Sequence, residues 1–115
     1  MVAVGTNAAG GTTTGQQITA LGYSALATNT TGSDNTSVGY NSLHDSTTGN
    51  YNTAVGSKSM YRNTTGSDNA ALGTHSLYSA TTADRNTALG ESALRYTTTG
   101  AVSYTHLTLP TNREV

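Results

Sequence analysis

At 115 residues the chain is long enough for one domain and no more. Only 10% of its residues are charged and the formal net charge is −1, which excludes the basic footprint of a nucleic-acid or anionic-membrane binder. With no Cys there are no disulfides or thiolate metal sites, and with no Phe, no Trp and one Pro, a chain of mostly Gly, Thr, Asn and Ser cannot build a thick core.

Low hydrophobicity alone would suggest disorder, but the sequence is periodic. From residue 2 it repeats every 17 residues, as coils 2–18, 19–35, 36–52, 53–69, 70–86 and 87–101, with no insertion. So strict a length implies coils stacked on one another, because an insertion would break the stack. The fold class expected is all-β, a parallel β-roll or β-solenoid. Gly and Thr in every turn and the lack of a 3.6-residue period exclude helices.

Each coil opens on a short strand such as Thr53-Ala54-Val55. The third position is Val4, Leu21, Val38, Val55, Leu72 and Leu89. Read as the inward apolar group, it puts the second position outward, since neighbours on a strand face opposite ways. That outward stripe of Ala20, Ser37, Ala54, Ala71 and Ala88 is small and uniform, which makes it a candidate subunit interface. The fourth position is always Gly, as in Gly39, Gly56, Gly73 and Gly90, where the chain turns with positive φ or close backbone approach.

A second short element follows, with one inward apolar residue at the eighth position: Ala9, Leu26, Leu43, Met60, Leu77 and Leu94. The predicted core is therefore Val38, Val55, Leu72, Leu89, Leu43, Met60, Leu77 and Leu94. A return turn, Thr-Thr-Gly in five coils and Thr-Thr-Ala83 in the other, closes the coil. Its last residue is Asn35, Asn52, Asn69 and Asn86 in the central coils, which predicts an Asn ladder from coil to coil.

The repeat stops after Gly100-Ala101. Residues 102–115, VSYTHLTLPTNREV, fit no coil position and resemble the in-frame translation of a transposon-end sequencing adapter. They are set aside as foreign, and the natural protein is expected to extend beyond both ends. No apolar run approaches the ~18 residues of a membrane span, so no membrane insertion is expected.

Little else carries chemistry. His44 and His75 occupy different coil positions and read as solvated residues, not a metal pair. Asp34 and Asp68 share a position two coils apart, roughly 9–10 Å at ~4.8 Å per coil, on an open turn. No catalytic, cofactor-binding or metal-binding residue is assigned, and the chain is not expected to be an enzyme. Tyr23, Tyr40, Tyr51, Tyr61, Tyr78 and Tyr96 lie at variable outward positions, where exposed rings stack on sugars or meet a protein.

The run NTAVGSKSMYRNTTGSDN, residues 52–69, resembles the tandem repeats of bacteriophage tail fibres. It is also similar to the head repeats of YadA-type trimeric autotransporter adhesins, from which it departs in coil length and in its Thr-Thr-Gly turn. The resemblance covers residues 2–101. It implies a parallel β-roll that forms a homotrimer, in a virion tail fibre or at a cell surface, supporting attachment to a host glycan or protein. With about two sizeable inward apolar groups per coil the core is thin, and a partner surface would add to it. Two rival readings are an ice-binding β-solenoid, for which adjacent threonines are poorly placed, and a spacer flanking a fibre-borne depolymerase.

Overall fold

The structure is a computed structural model that describes residues 1–100. The segment 102–115 that the sequence sets aside lies outside the described residues. One three-residue strand occurs per coil: β1 (Val2–Val4), β2 (Thr19–Leu21), β3 (Thr36–Val38), β4 (Thr53–Val55), β5 (Ala70–Leu72) and β6 (Thr87–Leu89). They form a single parallel sheet in sequence order. Every pairing joins equivalent coil positions, as Thr36 with Thr53, Ser37 with Ala54 and Val38 with Val55. The protein is an all-β solenoid, and no helix occurs among the described residues.

Parallel neighbours need a crossover connection, and here the rest of the coil provides it. The crossover is itself bonded rung to rung. Leu43 N–H donates to the Ser59 carbonyl at 3.0 Å and Met60 N–H to that of Ser76 at 2.9 Å. On the return side Thr47 N–H donates to Thr64 at 2.9 Å and Thr64 N–H to Thr81 at 2.8 Å. The buried backbone thus finds its partners in the coils above and below, as a polar main chain must.

Three residues of strand leave fourteen to bring the chain back, and tight corners do it. At the fourth position Gly39 and Gly56 have φ of 131° and 132°. A Cβ on Gly56 would stand 2.7 Å from the carbonyl carbon of Gly73 in the next coil, so glycine is required there twice over. Three further positions per coil are left-handed. Asn41 and Asp34 sit at φ 54° and 58°, a conformation their short polar side chains tolerate. Leu43, Met60 and Leu77 are left-handed too, at 50°, 52° and 48°. For such residues this costs roughly 1–2 kcal/mol each. Full burial of the same side chains, worth about 1.5–3 kcal/mol each, offsets it, since all three have no accessible surface.

The strand presents its faces the opposite way from the sequence reading. Leu72 and Leu89, expected inside, are 50% and 38% exposed, and Val38 and Val55 are only half-buried. Ala20, Ala54, Ala71 and Ala88, expected outside, are buried at 2% or less, as is Ser37. The cause is the thinness of the coil. The second position faces the seventh across the interior: Ser37 Oγ donates to the Ser42 carbonyl at 2.8 Å and lies 2.9 Å from Ser42 Oγ. Ala25, Ser42, Ser59 and Ser76 line that opposite wall and are buried. A gap this narrow admits Ala against Ser and has no room for Leu. The bulky inward groups stand at the eighth position, where Leu43, Met60 and Leu77 are fully buried and Leu94 packs at the margin. The Ala stripe is therefore interior packing and not a subunit interface.

The two aliphatic columns should respond differently to truncation. Met60→Ala is expected to cost about 2–5 kcal/mol, as core truncations do. Leu72→Ala should cost less than about 1 kcal/mol, because its side chain loses little burial. Urea unfolding at micromolar protein checks this, and equal losses would overturn the assignment of faces.

Candidate functional site

Two surfaces and one interior column result from this winding. The interior column is the Asn ladder at the seventeenth position. Asn52, Asn69 and Asn86 donate their backbone N–H to the Oδ1 of Asn35, Asn52 and Asn69, at 2.9, 3.1 and 2.9 Å. The Nδ2 groups of Asn35, Asn52 and Asn69 donate to the carbonyls of Gly49, Gly66 and Ala83, each at 2.8 Å. A carboxamide carries its donor and its acceptor on two separate atoms, which suits Asn to bonding two points of the next coil at once, as Asn52 does with Gly66 and Asn69. Beside it runs a Thr ladder, in which the Oγ1 of Thr30, Thr47 and Thr64 donates to the carbonyls of Thr47, Thr64 and Thr81 at 3.0, 3.1 and 2.9 Å. The next threonine in each coil, as Thr31, Thr48 and Thr65, is exposed.

The first surface is a corner column at the ninth position. His44 stacks on Tyr61 at 5.1 Å between ring centroids, and Tyr61 on Tyr78 at 5.4 Å with planes 7° apart. The Arg95 guanidinium caps Tyr78 at 5.4 Å, a cation–π contact. No rule in the sequence announces this ladder, since the ninth position varies among Gly10, Ala27, His44, Tyr61, Tyr78 and Arg95. His44 Nδ1 lies 2.7 Å from Asp45 Oδ1. Burial, then the neighbouring Asp45 carboxylate, raises the Tyr61 phenol above its usual range. His75, packed against Tyr78, is pushed below its usual range by desolvation and then by Arg95 and Lys58. Tyr23 and Tyr40 likewise stack on each other at 5.7 Å, while Tyr51 is 62% and Tyr96 78% exposed. His44 and His75 do not share a coil position, and no group of three or more His, Asp or Glu that could hold a metal occurs among the described residues.

The second surface is the outer face of the sheet. It carries the first and third positions: Thr19 with Leu21, Thr36 with Val38, Thr53 with Val55, Ala70 with Leu72 and Thr87 with Leu89. None of these side chains is ionisable. Where Ala70 replaces Thr, the face has a depression of about 250 Å³, flanked by Thr53 and Thr87 and walled by Leu72 and Leu89. Parallel sheets are ordinarily covered on both faces, and in this chain the outer face is open. The signal for it was present in the sequence as Thr-x-Leu and Thr-x-Val, but the choice of phase assigned it to the interior.

Neither a protein-family model, nor a curated protein, nor a solved structure matches the chain. The reading of function therefore rests on the geometry.

The interior amides should matter far more than the exposed hydroxyls. Asn52→Ala strands the Asn69 N–H and the Gly66 carbonyl, and is expected to cost about 2–5 kcal/mol. Thr65→Ala should stay within about 0.5 kcal/mol. Thermal melts of both variants decide it, and an Asn52→Ala protein as stable as the parent would contradict the ladder.

The depressed His75 sets a second expectation. A base whose folded pKa lies below its unfolded value of about 6.5 binds its proton more readily in the unfolded chain. Its contribution is intact above pH 6.5 and is lost as pH falls through the folded value. His75→Asn, which keeps a residue type found at this position in Asn41, should therefore flatten the acid side of a melting-temperature profile below pH 6.5. An unchanged profile would show that other groups set it.

Proposed function

We propose that the chain is a structural repeat segment of a fibre or surface adhesin, such as a phage tail fibre, working as a homotrimeric rod outside the cell. The observation that carries the reading is register. Coils from β1 to β6 stack without a gap, the backbone and Thr ladders run from the first coil to the last, and the Asn ladder runs through the central coils. A rod of identical rungs transmits position and holds a distal element away from its base. The motif resemblance in residues 52–69 supports the same conclusion. No catalytic step is proposed. In the attachment reading, a host glycan or protein is met by flanking elements or by outward residues such as Tyr51.

Rod length is the test. Each coil should add about 4.8 Å, so deleting residues 53–69 should leave a folded rod one rung shorter. Deleting 53–68 instead should break the register, because every later residue would meet the wrong partner. Small-angle scattering and circular dichroism check both deletions. A fold that tolerates the 16-residue deletion equally well would overturn the stacked-rung reading. Immunogold labelling of source virions or cells should then decorate surface fibres, and label confined to the cytosol would overturn the location.

A further inference from the structure

The open sheet face needs an occupant. We propose that it is a homotypic mating surface, on which a second copy of this chain lies parallel and in register. The proposal rests on the rod reading above and adds to it the face by which the copies meet.

Three observations select a second copy over other partners. First, the face is a lattice. Its aliphatic column Leu21, Val38, Val55, Leu72 and Leu89 has one side chain per rung. Only a surface with the same rung spacing can meet every rank, and a second coil of the same length has it by construction. Copies that share one rod run the same way, which sets parallel register. Second, the first and third positions of all six coils hold no ionisable residue, so two identical faces meet without like-charge repulsion and without stripping water from a charge. Third, the face is not flat all along. The depression at Ala70, between Leu72 and Leu89, leaves room for an aliphatic side chain of an opposing copy. Knob and hole thus both lie on the one face that every copy presents, so identical copies around a common axis can fill each other's depressions.

The size of the contact predicts its strength. Six rungs make a strip about 29 Å long and one short strand wide. That is small beside the ~800 Å² per partner of a standard stable interface. The 115-residue chain should therefore associate reversibly at high concentration.

Sedimentation equilibrium of the full chain from 1 μM to 1 mM is the first measurement. Concentration-dependent self-association is expected. Leu72→Asp with Leu89→Asp should weaken it at least tenfold, because each places an unpaired charge in the contact. Thr74→Asp, at the exposed position where another coil carries Glu91, should leave it unchanged. Should the double variant fail to fold by circular dichroism, a second probe remains. The parent has no cysteine, so Leu72→Cys reports cleanly. It should form an interchain disulfide under mild oxidation, and Thr74→Cys should not. A chain monomeric at 1 mM, association indifferent to the Asp pair, or equal cross-linking of both cysteine variants would overturn the mating face. A monomer that shapes growing ice crystals would overturn it too, and would assign the Thr and Leu ranks to ice. In each of these cases the rod stands or falls separately, on the scattering of the coil-deletion variants.

Discussion

Everything in this protein depends on backbone hydrogen bonds that leave one coil for the next. A three-residue strand has almost no independent stability, and neither does the winding corner that follows it. Each becomes stable only because an equivalent residue stands one rung away with its carbonyl or N–H in place. The constant coil length is the condition for that, and the other regularities follow from it. Side chains at equal positions come to lie within bonding distance, so a residue that bonds well to itself is favoured in every coil. Asn35, Asn52, Asn69 and Asn86 and the threonines from Thr30 to Thr81 are the outcome.

The same condition explains why strain recurs. The chain must reverse direction within seventeen residues, and it does so through four positive-φ positions per coil. At the fourth position glycine makes the bend easy, and at the sixth and sixteenth short polar residues such as Asn41 and Asp34 do so. At the eighth position the bend falls on Leu43, Met60 and Leu77. There the side chain must be large to fill the wider half of the interior, and packing outweighs local preference. The narrow half is filled by small residues from both sides, Ser37 against Ser42 being the clearest pair.

Much of this was legible in the sequence. The period, the parallel stacking, the invariant Gly corners and the role of Asn at the end of each coil all follow from spacing and residue type. What was not legible was the phase of the strand. Thr-Ala-Val alternates equally well with either face inward, and the usual preference for burying the larger apolar group chose Val55 over Ala54. The deciding fact was the distance across the coil, which a period alone does not contain. A hint lay in the seventh position, whose Ala25, Ser42, Ser59 and Ser76 are as uniformly small as the second, as facing walls must be. The left-handed Leu residues gave no such hint, because nothing local favours that conformation. The His44, Tyr61, Tyr78 and Arg95 column was hidden for another reason: planar groups of different names stack alike, so a ladder need not be a repeat of one residue.

The buried amides also bear on where this chain can be made. Asn29, Asn35 and Asn63 each begin an Asn-x-Ser/Thr acceptor sequence for N-linked sugar, yet all three have no accessible surface. Asn35 uses its side chain to hold the coil above, bonding Gly49 and Asn52. A glycan added there before folding would occupy the space of the next rung and stop the stack from closing. Once the stack has closed, the glycosylating enzyme has no access. Folding and N-glycosylation are therefore mutually exclusive at these sites. Passage through a eukaryotic secretory pathway would set the two processes in competition from the second coil to emerge, which carries Asn29 and Asn35.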